Sequence, residues 1–473
     1  QGLADLLQPL LADPEAAVRA RAAVALLALG PHAQARDQLR QMAVLGQLDE
    51  RVHALNALAD WGDAEAYALI EAELADAYAP AAVRRAAARA LAAGGAAAIP
   101  PLAQALGDRD NGVREAAVDA LIHLGAPALP PVVAALNDPT REAAALLTLQ
   151  GLPAWRAADA LRQYVDRRLT ATVHYDLLWR DVAPQARDER IRLLADSLRD
   201  SARQQALNAL RALGLLEERE AVRLAAENLQ SRTPAQVANA LEALETLPTL
   251  SRLRPLLRPW EPADAQRAVV PLDQHLADLL EAEPEAWIRA GAALAAAGSS
   301  DPDVRAALAR RAVSDPDELV RSTALSALGT TMNTLPTLSV MDRILFLRRV
   351  PLFVDLAPAD LKQVAVLASE QVFPDGETLV AQGEAGDELY VLVSGEVRVS
   401  VDGAEVARRK SGDVVGEMAI ISQEPRMASL IAAGDVRALS LDRKSFEGLL
   451  RERPDVSLAV MRVLCARLAE ATR

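Results

Sequence analysis

The sequence predicts a chain of two parts: an all-α helical solenoid over residues 1–335, then an α+β domain over residues 340–473. Three observations carry this reading. A short phrase built on Val-Arg recurs through the first part at near-constant spacing. From Phe373 onwards the chain instead alternates short apolar runs with Gly- and Asp-containing turns, the signature of strands and hairpins. Composition changes as well. Trp61, Trp155, Trp179, Trp260 and Trp287 all precede the change, while Phe346, Phe353, Phe373 and Phe446 follow it, together with Lys362, Lys410 and Lys444. The polar, helix-poor run Thr330-Thr331-Met332-Asn333-Thr334-Leu335-Pro336-Thr337 reads as the linker.

In the first part, an acidic or proline turn is followed by Val-Arg, then Ala and Leu at helical spacing, then Gly. Asp13-Pro14 leads to Val18-Arg19 and Gly30; Val83-Arg84 leads to Gly94; Asp110 leads to Val113-Arg114 and Gly125; Pro284 leads to Ile288-Arg289 and Gly298; Asp315-Pro316-Asp317 leads to Val320-Arg321 and Gly329. Weaker copies span Val52–Gly62 and Asp138–Gly151. Arg84 and Arg114 are 30 residues apart, and Arg289 and Arg321 are 32 apart. Each copy reads as a helix pair whose second helix starts at the acid or proline and stops at the glycine. Apolar residues at i, i+3, i+4 and i+7 make a stripe that one pair cannot bury alone, so neighbouring pairs must stack. Abundant alanine lets the helices approach closely. The pattern fades between Ala157 and His275, where longer or degenerate pairs are expected. These phrases resemble the HEAT-repeat family. The resemblance implies that the recurrent arginine pairs with an acidic turn residue of the same or the next repeat, rather than lining a basic groove.

The second part opens with helices over Met341–Phe353 and Ala359–Ser369. Phe373–Glu377 is a turn between two short strands, and Gln382–Glu384 with Gly386-Asp387 forms another turn. Leu389–Val393 is an apolar strand ending at Ser394-Gly395; Glu396–Val401 alternates, Asp402-Gly403 is a hairpin turn, and Ala404–Arg409 returns. Gly416 then begins the run Gly416-Glu417-Met418-Ala419-Ile420-Ile421-Ser422-Gln423-Glu424-Pro425-Arg426-Met427-Ala428-Ser429-Leu430. Glycine permits a tight turn and close approach of a ligand. Glu417–Ile421 reads as one helical turn whose free N–H groups attract an anion. Pro425 ends it, Arg426 offers a fork matched to two phosphate oxygens, and Leu430–Ala432 is a strand. An acid, an arginine and a row of backbone donors in one loop suit a small ligand bearing a sugar hydroxyl and a phosphate.

This run resembles the phosphate-binding cassette of the cyclic-nucleotide-binding domain, and the strands and turns before it fit that family's β-roll in order. The resemblance gives Glu417 the ribose 2′-hydroxyl and Arg426 the cyclic phosphate, with Gly416, Met418, Ala419, Met427, Ala428 and Ser429 completing the ligand-binding set. Met427 stands where the family usually has Ala, Ser or Thr. It has no hydroxyl to meet a guanine, so the resemblance points to cyclic AMP rather than cyclic GMP. Val350-Pro351-Leu352-Phe353 is similar to the family's entry motif. Arg443–Arg451 reads as a helix, and Pro454 opens a final helix with Val456, Val460, Leu464 and Leu468 on one face. In the family that helix closes over the base and in some members pairs two subunits; Arg462 and Arg467 both remain open as base contacts. The competing reading makes Glu417 and Arg426 a surface ion pair in a roll without ligand.

Of the 473 residues, 51% are hydrophobic and 25% charged, with aromatics at 3%, so the chain is globular with a core of small aliphatic side chains. The net charge of −14 opposes binding to nucleic acid. Cys465 is the single cysteine and forms no internal disulfide. His32, His53, His123, His174 and His275 are scattered without metal-ligand spacing, so no metal is expected. Phosphate-loop, dinucleotide-binding and Gly-x-Ser-x-Gly motifs are lacking, and the paired carboxylates Asp301-Pro302-Asp303 and Asp315-Pro316-Asp317 fall where helices start. A non-enzyme is expected. No apolar run reaches the length of a membrane helix, and no signal peptide is visible. The chain starts at Gln1 within helical sequence, so a fragment of a larger protein is expected.

The resulting expectation is a regulatory module that senses cyclic AMP and passes the change to the solenoid, to a protein partner or to a covalently linked membrane domain. Repeats followed by such a domain resemble the soluble tail of bacterial ATP/ADP-translocase-like nucleotide transporters, which implies a cytoplasmic location, alone or as the cytosolic part of a membrane protein. A homodimer is compatible with the final helix. The alternative is a non-catalytic protein-interaction scaffold with a ligand-free domain.

Overall fold

The computed structural model describes residues 2–216, 219–231, 233–246, 254–262, 270–329, 337–354, 356–422, 424–452, 456–458, 460–462 and 464–465. Most of the expected linker, the start of the final helix at Pro454, and Arg467 and Leu468 lie outside the described residues. The chain divides into two compact units, residues 1–172 with 204–258, and residues 173–203 with 259–473.

In the first unit the Val-Arg phrases open the second helix of each pair. These helices, Ala16–Leu29, Leu48–Trp61, Ala81–Leu91, Asn111–Leu124 and Glu142–Gly151, stack on one another in order. The helices Ala33–Leu45, Ala64–Ala75, Ile99–Ala105 and Leu129–Ala135 form the other layer. The recurrent arginines form a ladder. Arg84 makes a bidentate pair with Asp108 of the next repeat, 2.8 Å on each arm, and also donates to Ala79 O. Arg19 reaches Asp13 O, Pro14 O and Glu50. In the second unit Arg289 binds Asp315 of the next repeat at 2.9 and 3.0 Å, and donates to Glu283 O and Pro284 O. The arginine therefore closes its own turn and clamps the next one, the structural role the repeat resemblance implies. Where the phrase fades, two long helices, Ala158–Val182 and Glu189–Leu216, replace the short pairs. Asp301 and Asp317 are N-caps: each carboxylate accepts two backbone N–H groups at the start of its helix.

The C-terminal domain is an antiparallel sheet of six strands with helices before and after it. β1 (Ser369–Phe373), β6 (Ser429–Asp442), β3 (Glu388–Val401) and β4 (Ala404–Lys410) lie in that order; β2 (Thr378–Val380) pairs with β6, and β5 (Val414–Val415) with β3. The two strands expected on either side of Ser394-Gly395 are one, β3, whose pairing with β6 slips between Leu392 and Ser394 and again between Ser394 and Glu396. β6 continues well past the expected Ala432. The β3–β4 turn is the two-residue hairpin Asp402-Gly403, both residues at positive φ, +51° and +83°. The helix expected over Met341–Phe353 stops at Leu347, and Ser369 begins β1 rather than ending the second helix, Pro358–Leu367. Phe373, Leu392, Val397, Leu430, Val436 and Ala438 fill the interior of the roll.

Candidate functional site

The cassette is short because its residues demand it. Gly416 has φ +87°, a left-handed backbone that a side chain would strain, and a Cβ there would lie 2.5 Å from Arg426 Nη1. The helix Glu417–Ser422 follows at once. Pro425 has no N–H to continue it, and the chain passes through Arg426 into β6. Two backbone hydrogen bonds stitch Arg426 to the loop before β3: Arg426 N–H donates to Glu384 O and Gly383 N–H to Arg426 O, both at 2.8 Å. Ser429 Oγ accepts from the Gln382 N–H at 2.9 Å. These bonds hold the cassette and that loop together.

Neither Glu417 nor Arg426 lies at the surface: they are 2% and 6% exposed. This rules out a simple surface ion pair. The Arg426 guanidinium donates from Nη1 to Gly416 O at 2.9 Å and from Nη2 to Glu388 O. Two of its five N–H groups thus fix the fork. Burial pushes the Arg426 cation below its ordinary pKa, while Tyr390, Glu388, Asp387 and Glu417 act in the opposite sense. An incoming anion at this site meets a desolvated, pre-oriented charge, where a charged hydrogen bond is strongest. Met418 and Met427 are 42% and 60% exposed, and Ala419 is buried. Ala428 and Ser429 are half-buried. The structure thus brings Gly416, Glu417, Ala419 and Arg426 together and leaves the two methionine side chains at the rim.

Residues that sequence reasoning passed over support the fork. Gly386 lies against it: a Cβ there would stand 2.5 Å from Arg426 Nε and 2.8 Å from Ala419 Cβ. Arg443, at the start of the helix Arg443–Glu452, holds the same loop from behind. Its Nη2 donates to Gly386 O at 2.8 Å, its Nε to Asp387 Oδ1 at 3.1 Å and its backbone N–H to Asp387 O at 2.7 Å. It also reaches Ile420 O in the cassette, at 3.4 Å. The Gly386-Asp387 turn was visible as a turn, but nothing local to Arg443 signals a partner 57 residues away. Val456 and Val460 of the expected final stripe are buried, and Arg462 is exposed. Among the described residues no group of three or more His, Cys, Asp or Glu side chains is placed to hold a metal, and no helix is long and apolar enough to cross a membrane.

A β-roll flanked by helices, with a buried arginine and a buried glutamate in one short cassette, defines a domain of the cyclic-nucleotide-binding class. Comparison with known proteins agrees: residues 370–453 match the cyclic nucleotide-binding domain, and residues 72–152 and 274–344 match HEAT repeats. The chain carries both. Among curated relatives, it is 37% identical over 113 residues to a cAMP-dependent protein kinase regulatory subunit of Aspergillus niger, covering 24% of this chain and 28% of that one. It is 35% identical over 133 residues to a CRP-like cAMP-activated global transcriptional regulator of Mycobacterium tuberculosis, covering 27% of this chain and 58% of that one. Both matches thus span less than two thirds of the relative. Among solved structures, the regulatory domain of Toxoplasma gondii PKA with cAMP matches at 30% identity and a TM-score of 0.25, covering 26% of this chain and 49% of that one.

Proposed function

We propose that this chain is a non-catalytic regulatory module that binds cyclic AMP at the cassette and relays its occupancy to the repeats or to a partner. The observation that carries the reading is the buried Arg426 fork, pre-oriented by two backbone carbonyls beside a buried Glu417. Arg426 holds the cyclic phosphate together with cassette N–H groups of Gly416–Ala419 and Met427–Ser429, and Glu417 accepts the ribose 2′-hydroxyl. The relatives' names, cAMP-dependent and cAMP-activated, support the choice of nucleotide. Met427 offers no hydroxyl to a guanine, which disfavours cyclic GMP. The order of repeats and then nucleotide domain favours a membrane nucleotide transporter as the regulated partner.

Calorimetric titration of the full chain with cyclic AMP, with cyclic GMP in parallel, tests this. Saturable binding of cyclic AMP is expected, weakened by Arg426→Ala by roughly 1.5–3 kcal/mol, the worth of a charged hydrogen bond. Absence of binding to either nucleotide refutes the sensor and leaves the repeat-bearing scaffold.

A further inference from the structure

The outer face of the roll does not end in a closed core of its own. Ile420 of the cassette and Leu439 of β6 belong to a hydrophobic cluster that continues through Leu361 and Ile344 into Ile288 and Val320 of the last repeats. All six are essentially inaccessible to water, and all lie in the second compact unit. The interior of the roll is a separate cluster. Polar fastenings flank the shared core. The Lys362 ammonium, on the helix Pro358–Leu367, stands 5.2 Å from the ring centroid of Trp287, on the repeat helix Ala286–Ala295. Arg348 Nη2 donates to Asp196 Oδ2 at 2.6 Å. Arg343 ties the helix Val340–Leu347 to the end of Pro358–Leu367 by donating to Ala365 O and Ala368 O at 3.2 and 2.7 Å. Apolar side chains that share one buried core do not rearrange independently, because any gap between them forfeits dispersion contacts on both sides.

We infer that the last repeats, Leu272–Ala327, and the nucleotide domain open and close as one cooperative unit, so that these repeats are the element that receives the cassette's signal. The compositional boundary near residues 335–340 then separates two sequence families but not two folding units. This rests on the proposed binding of cyclic AMP, which enters as a ligand of the closed state. A ligand at a hundredfold excess over its Kd lowers by about a hundredfold the population of every opening that releases it, and leaves local openings that spare the site unchanged.

Hydrogen–deuterium exchange of the full chain, with and without cyclic AMP at that excess, reads this out. Calorimetry on the same sample reports binding. The slowest amides of Ala286–Ala295 and Glu318–Ala327 are expected to slow by the same factor as those of β6, and Arg426→Ala removes both effects together. Protection confined to residues 370–452, with binding intact, overturns the coupling while leaving the sensor reading in place. A calorimetric blank with no change in exchange anywhere overturns both.

Discussion

Replacing Gly386 with Ala should weaken the site by displacing Arg426, although Gly386 itself is not among the residues assigned to the ligand. The added Cβ would lie 2.5 Å from Arg426 Nε, 2.7 Å from its Cζ and 2.8 Å from Ala419 Cβ, closer than unbonded carbon atoms stand. An arginine end normally gives way. This one has little room, because Gly416 walls its other edge and the carbonyls of Gly416 and Glu388 hold both Nη atoms. Relief therefore means turning the fork away from its carbonyls. Loss of one well-placed charged hydrogen bond costs about 1.5–3 kcal/mol, so the Kd for cyclic AMP should rise roughly 10- to 150-fold. Overpacking should also lower folding stability by about 1–3 kcal/mol. Gly386 does not occupy the left-handed region, so backbone strain adds nothing to this. Calorimetric titration beside thermal unfolding separates the two effects, with Gly448→Ala as the control. Gly448 lies inside a helix with open space where its Cβ would go, and should leave binding unchanged. A Gly386→Ala chain that binds within threefold of the native one refutes the reasoning.

Other predictions concern stability. Arg289→Ala leaves the fully buried Asp315 carboxylate with one backbone donor, the Asp317 N–H at 2.9 Å, and the longer Arg311 contact at 3.4 Å as its charge partner, and should cost about 3–5 kcal/mol in denaturant unfolding. Burial by itself would raise the Asp315 pKa. The hydrogen bonds of Arg289 and of the Asp317 N–H, with the charges of Arg289 and Arg311, outweigh it and hold the group below its ordinary value. Its contribution is therefore present above the usual carboxylate pKa of about 3.9 and is lost as pH falls through the lower folded value. Asp200 behaves oppositely. Burial pushes it up to about 6 despite the attraction of Arg203, and its Oδ2 is buried without a hydrogen-bond partner. It favours the folded state when protonated, and that advantage is lost as pH rises through about 6. Asp200→Asn should thus stabilise the chain by about 3 kcal/mol at pH 8 and by much less at pH 4, measured as midpoint shifts. An unchanged midpoint at pH 8 would contradict the assignment.

The sequence disclosed what is encoded locally. The arginine ladder is readable because each Val-Arg phrase carries its turn and its stop within one repeat, and the acid that the arginine meets opens the next one, as Asp108 does for Arg84. Asp301 and Asp317 announce helix starts for the same reason. The hairpin at Asp402-Gly403 and the cassette from Gly416 to Ser429 are contiguous, so residue order alone places Glu417 and Arg426 in one loop. What sets that loop's geometry is not contiguous. Arg443 meets Gly386 and Asp387 only after four strands have intervened, and a Gly-Asp turn looks like any other turn until a guanidinium is found against it. The join between repeats and nucleotide domain was concealed for a related reason. Composition changes sharply near residue 335, but Ile344 and Leu361 are as apolar as Ile288 and Val320, and apolar residues of both families share one core.

The central claim is that Arg426 is the phosphate anchor of a nucleotide site. A crystal structure of the full chain with cyclic AMP tests it most directly. The account predicts cyclic phosphate oxygens about 2.7–2.9 Å from Arg426 nitrogens, with the ribose 2′-hydroxyl on the Glu417 carboxylate. A nucleotide bound elsewhere, or one whose phosphate makes no contact with Arg426, would contradict it.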